Sequence, residues 1–176
     1  MDSPHVYNHL NSIAFPCPEI GKLLFSAPDL VFLRLDSIPR SGRGYTSPEA
    51  MVNNLSILMR LKSLHLTFLK TTPRSQSLQA SGNPLPFARA VFPSLTDIYF
   101  YGDKEYLGDF VSRIDTPLLA LITIGFISLS VSITPPLRDF ISRTETFGAY
   151  SEINPDTWPS GNYAEIKFFR RDGEGL

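Results

Sequence analysis

The sequence predicts an α/β fold: a short, irregular solenoid of four to six stacked units, with parallel strands on one face and helices on the other. Three observations carry this. The pattern apolar-x-x-apolar-x-apolar recurs along the chain, the segments between its copies have helical periodicity, and the composition suits a chain with a core. Of 176 residues, 43% are apolar, 12% aromatic and only 19% charged, which excludes a disordered chain, a collagen and an acidic tail. A compact chain of this length buries roughly two-thirds of its unfolded surface.

The elements follow in order. Pro18-Glu19 opens a helix with Ile20, Leu23 and Leu24 at helical spacing, closed by Ser26-Ala-Pro28. The first copy is Leu30-Val-Phe-Leu33-Arg-Leu35. Ser47-Pro48-Glu49 joins an N-cap serine to a proline at the first helical position. Met51, Val52, Leu55, Leu58 and Met59 then form an amphipathic stripe. The second copy is Leu61-Lys-Ser-Leu64-His-Leu66. Thr71 to Val91 is rich in Ser, Pro, Gln and Gly and reads as a long loop, either a binding loop or an insertion. The third copy is Leu95-Thr-Asp-Ile98-Tyr-Phe100, followed by a helical stretch from Glu105 to Ile114. The fourth copy is Leu119-Ala-Leu-Ile122-Thr-Ile124. Thr134-Pro135-Pro136 opens a helix through Leu137, Phe140 and Ile141. A weaker fifth copy starts at Phe147-Gly-Ala-Tyr150, and a terminal one is Tyr163-Ala-Glu-Ile166-Lys-Phe168.

The first five copies start 31, 34, 24 and 28 residues apart. That brackets, with insertions, the leucine-rich-repeat period of roughly 20–29 residues. The fold class is therefore α/β and leucine-rich-repeat-like. A single unit cannot bury its own apolar face, so neighbours must stack. Positions 1, 4 and 6 of each copy are predicted to face the core, and the alternate positions to face outward. Residues 1–14 read as an N-terminal tail, 15–169 as the repeat domain with the loop insertion at 71–91, and 170–176 as a C-terminal tail. The position three residues after each strand is Ile38, Leu69, Asp103 or Ile127, so no asparagine ladder forms and irregular curvature is expected.

Between Asp115 and Arg138 stand 22 uncharged residues, close to the length of a spanning helix. Leu129-Ser-Val-Ser-Ile133 alternates with period two, however, which reads as strand, turn and strand. The start Met1-Asp2-Ser3-Pro4-His5 has no basic region followed by an apolar stretch. It is not a secretory signal, and the chain is expected in the cytoplasm or nucleus.

Several strings go beyond the generic repeat: Leu24-Phe-Ser-Ala-Pro-Asp-Leu-Val-Phe-Leu-Arg-Leu35, Ser47-Pro-Glu-Ala-Met-Val52, Phe92-Pro-Ser-Leu-Thr-Asp97, Tyr106-Leu-Gly-Asp-Phe-Val-Ser-Arg-Ile-Asp-Thr-Pro-Leu-Leu119 and Phe140-Ile-Ser-Arg-Thr144. In this order, over residues 15–150, they resemble the leucine-rich-repeat region of the F-box-type proteins of mushroom-forming fungi. The resemblance implies a substrate receptor of a ubiquitin ligase, whose F-box docks on a Skp adaptor and cullin while the repeats hold a target. Only 14 residues precede Phe15, so the chain is expected to correspond to the repeat region without an F-box. The resemblance thus implies target binding, with adaptor docking only if an F-box lies elsewhere.

No catalytic signature emerges. GxGxxG, Walker A and GxSxG patterns are absent. His5 and His9 are four residues apart, a spacing that would suit a metal pair on a helix, but Pro4 and polar neighbours point to a frayed tail. The lone cysteine, Cys17, reads as a buried structural thiol, and Asp103, Glu105 and Asp109 as carboxylates favoured at a helix start. No cofactor or metal is expected. Net charge is −1, which predicts no nucleic-acid or membrane partner. Charge is uneven: residues 34–89 carry a net +6 and residues 97–156 a net −5, which suits either steering of a bipolar partner or plain solvation.

The expected function is non-enzymatic protein recognition through the outward strand positions. These are Phe32, Arg34 and Asp36, then Ser63, His65 and Thr67, then Asp97, Tyr99 and Tyr101. Aromatic and arginine side chains dominate interface energetics. Two alternatives stay open: a degenerate repeat fragment with no partner, and a small enzyme of unfamiliar class.

Overall fold

The computed structural model describes residues 27–40, 42, 44–69, 88–126, 134–144, 146–147, 151–152 and 164–169. Their elements run β1 (Phe32–Ile38), α1 (Pro48–Leu55), β2 (Ser63–Phe68), β3 (Ala90–Val91), β4 (Asp97–Gly102), α2 (Lys104–Ser112), β5 (Ile114–Asp115), β6 (Leu121–Phe126), α3 (Pro135–Arg143), β7 (Ser151–Glu152) and β8 (Ala164–Phe169). The main sheet has the order β1-β2-β4-β6-β8-β7, and β3 pairs with β5 in a small second sheet. The pairs β1–β2, β2–β4 and β4–β6 are parallel. The fold is mixed α/β with a mostly parallel sheet.

Each of the first four sequence copies enters its strand through the same turn. The amide of Leu30 donates to Ala27 O at 3.1 Å, Leu61 to Leu58 O at 3.1 Å, Leu95 to Phe92 O at 3.4 Å and Leu119 to Thr116 O at 3.2 Å. Consecutive units are then tied through one equivalent carbonyl. Val31 O accepts from the amides of Lys62 and Ser63, Lys62 O from Thr96 and Asp97, and Thr96 O from Ala120 and Leu121. The regular turn sets the register, and register decides which side chains are buried.

The predicted inward positions are the core. Leu30, Leu33, Leu35, Leu61, Leu64, Leu66, Leu95, Ile98, Phe100, Leu119, Ile122 and Ile124 are all buried. They share one cluster with Met51, Val52 and Leu55 of α1, Leu107, Phe110 and Val111 of α2, and Leu137 and Phe140 of α3. The helices thus cover one face of the sheet. Ser47 Oγ caps α1 by accepting from the Ala50 amide at 3.2 Å, with Pro48 in the first turn. Thr134 precedes Pro135-Pro136 at the start of α3. Arg143, near the end of α3, reaches back to α2 and β5. It donates to the Ile114 carbonyl at 2.9 Å and to Asp115 at 3.2 Å, with its guanidinium over the Phe140 ring. It also donates to the Val111 carbonyl in the last turn of α2, one of those that the end of a helix leaves open.

Three expectations need correction. The stripe from Met51 to Met59 is not all helix. α1 ends at Leu55 and the chain enters the turn before β2, which leaves Met59 55% exposed. The last two residues of the expected 71–91 loop form β3, which pairs with β5 in parallel. The last two copies do not continue the parallel stack. β8 runs antiparallel to β6, and β7 lies beyond it, paired among the described residues only with β8 and again antiparallel. Period-two alternation buries Ile166 and Phe168 whichever way the strand runs, so the pattern carries no direction. The expected helix at residues 18–24, the strand at 129–133, His5, His9 and Cys17 lie outside the described residues. No helix among the described residues is long and apolar enough to cross a membrane.

Candidate functional site

The helices cover one face of the sheet, and the candidate site is the other. Alternate strand residues point there, and the register lines them up across the strands. One row runs Phe32, Ser63, Asp97, Leu121. The next runs Arg34, His65, Tyr99, Thr123, Lys167. A third joins Thr67, Tyr101 and Gly125. Asp36 belongs to the same face, because Arg34 Nε donates to its carboxylate at 2.8 Å. Beyond Asp36 the edge strand bulges. Ser37 has φ of 59° and the β1–β2 register shifts between Leu35 and Ile38, a device that twists an edge away from further pairing.

All nine residues expected from the sequence therefore share one surface, and all are half-buried except Arg34, which is exposed. Their rings form a chain across three strands. Phe32 meets His65 edge-on at 5.0 Å between centroids, and His65 meets Tyr99 at 5.3 Å, both within the range of favourable aromatic pairing. Tyr101 lies over Gly125: a Cβ there would stand 2.7 Å from Tyr101 Cδ2. The absent side chain on β6 lets the tyrosine ring lie across the sheet.

The electrostatics of the patch centre on His65. Burial holds its pKa below the ordinary histidine value, and the positive charge of Arg34 lowers it further, while Asp36 and Asp97 oppose the shift. At neutral pH the ring is an uncharged aromatic. Asp97 Oδ2 lies 2.6 Å from the Thr96 hydroxyl, whose single proton it shares with Lys62 O at 3.0 Å.

Sequence reasoning missed the part of the face on β6 and β8. Leu121, Thr123, Gly125 and Lys167 continue the same rows. Thr123 and Leu121 carried a signal, since they occupy outward positions of the fourth copy, but Lys167 joins only through the antiparallel placement of β8. Two contacts join the basic segment to the acidic one. Arg40 of the basic segment pairs bidentately with Asp103 of the acidic one, and Arg89 stands 3.8 Å from Asp115, which Arg143 also contacts. These charges neutralise one another within the fold. Among the described residues, no group of three or more His, Cys, Asp or Glu side chains is placed to hold a metal ion. Comparison of the chain with protein-family models, curated proteins and solved structures finds no match.

Proposed function

We propose that this chain is a non-enzymatic protein-recognition module, a short solenoid of leucine-rich-repeat character that holds a target protein on the open face of its sheet. The observation that carries this reading is the row of half-buried rings, Phe32, His65 and Tyr99, on the face that the helices leave uncovered. Rigid aromatic side chains offer large contact area at little cost in side-chain entropy, and they concentrate binding energy at interfaces. The turns and carbonyl ladder repeated from unit to unit support stacked repeats, which commonly present their sheet as a binding surface. The resemblance to the repeat region of fungal F-box proteins points the same way, with a Skp adaptor and cullin as partners only through an F-box elsewhere.

Affinity capture tests this. The tagged chain is compared with Tyr99→Ala and Arg34→Ala variants whose thermal unfolding matches the parent. Proteins retained by the parent and lost by both variants are the expected result, with affinity lower by about 2 kcal/mol for a hot-spot residue. The same retained set in all three samples would move the binding surface elsewhere or remove it.

A further inference from the structure

The row Phe32, Ser63, Asp97 has a large ring at one end, a carboxylate at the other and the smallest side chain of the row between them. Neighbouring strands stand about 4.8 Å apart, so the two ends are separated by about 10 Å. The His65 ring borders the gap from the next row, in contact with both Phe32 and Tyr99. Ser63 therefore floors a shallow seat walled by two aromatic rings and a carboxylate.

Charge decides what fits there. Among the described residues, Asp97 has no cationic partner; its contact is the neutral Thr96 hydroxyl. Neither Lys62, next to Ser63 in sequence, nor Arg34 makes an ion pair with it. Arg34, the register partner of His65, is instead held by Asp36. His65 is neutral at physiological pH. The seat thus presents one uncompensated negative charge beside the faces and edges of rings, an arrangement that attracts cations.

We infer that the seat formed by Phe32, Ser63, His65 and Asp97 takes the cationic side chain of an arginine or lysine from the protein bound on the open face. This deepens the preceding reading and rests on it. The incoming cation pairs with Asp97 and lies against the Phe32 and His65 rings, with its alkyl stem over Ser63. Lowering the pH weakens binding, because protonated His65 adds a positive charge to the wall. The other charged or titratable groups facing that ring are Arg34 and Asp36 on β1 and Asp97 and Tyr99 on β4.

The test is NMR titration of the isotope-labelled full chain with three capped tripeptides, Gly-Arg-Gly, Gly-Lys-Gly and Gly-Glu-Gly. A single side chain binds at about the millimolar level. The expected result is saturable shifts of the Ser63, His65 and Asp97 amides with the arginine and lysine peptides, and none with the glutamate peptide. Asp97→Asn, which keeps the shape, should weaken binding about fivefold or more, and Ser63→Leu should fill the seat and abolish it. Shifts of equal size with the glutamate peptide, no shifts with any peptide, or unchanged affinity in Asp97→Asn would each overturn the inference. A captured target lost by Tyr99→Ala but fully retained by both Asp97→Asn and Ser63→Leu would also overturn the cation seat while leaving recognition by the open face standing.

Discussion

One strand, β4, shows two chemistries on its two sides. Ile98 and Phe100 are buried against the helices, whereas Asp97, Tyr99 and Tyr101 stand half-exposed on the open face. The two phenyl-bearing side chains at 99 and 100 are neighbours in sequence and differ by one hydroxyl, yet only one supports the core. The difference lies in what packs against each ring. Phe100 touches Phe68 and Tyr106, at 5.5 and 6.2 Å between centroids, while Tyr99 meets His65 on the surface.

The largest expected contrast breaks this pair apart. Phe100→Ala should destabilise the chain by about 3–5 kcal/mol through the cavity it leaves, read from denaturant unfolding. Tyr99→Ala should cost well under half of that. Equal losses would mean that Tyr99 is structural.

Two glycines sharpen the comparison at smaller scale. A Cβ on Gly102 would stand 2.8 Å from both Phe100 Cζ and Phe68 Cδ2, inside the core. Gly102→Ala should therefore cost about 1–3 kcal/mol, since packed rings have nowhere to go. At Gly125 the obstacle is the ring of Tyr101, half-exposed on the surface and not enclosed in the core. Gly125→Ala should cost less than about 1 kcal/mol and shift the NMR signals of the Tyr101 ring.

The smallest effect is electrostatic. Because folding lowers the His65 pKa, the native state binds fewer protons there than the unfolded chain. Stability contributed by this group is full above the unfolded pKa and declines as pH falls from about 6.5 toward the folded value. His65→Phe should remove that part of the slope, measured as the pH dependence of the denaturant midpoint.

Much of this was legible in the residues because alternation and turn chemistry are local. Leu64 and Leu66 announce a buried side, Ser47-Pro48 a helix start, and the outward residues of three strands a common surface. Other features depend on pairing, which a periodic pattern does not encode. Nothing in Ala164–Phe169 specifies that the strand runs antiparallel to β6. Nothing in Ser37 alone predicts its positive φ. Gly125 gains its meaning only once the register sets it beside Tyr101. The seat at Ser63 is a three-strand feature of the same kind: its ring and its carboxylate are 65 positions apart in sequence, at 32 and 97.

The reversed strand has a consequence for the order of assembly. Among the described residues, β7 precedes β8 in the chain but pairs only with it, and β6 also depends on it for one edge. During synthesis, two earlier segments must wait for the last strand to emerge. A chain stopped before Ala164 would leave the apolar strand Leu121–Phe126 with an open edge, a template for pairing with another copy.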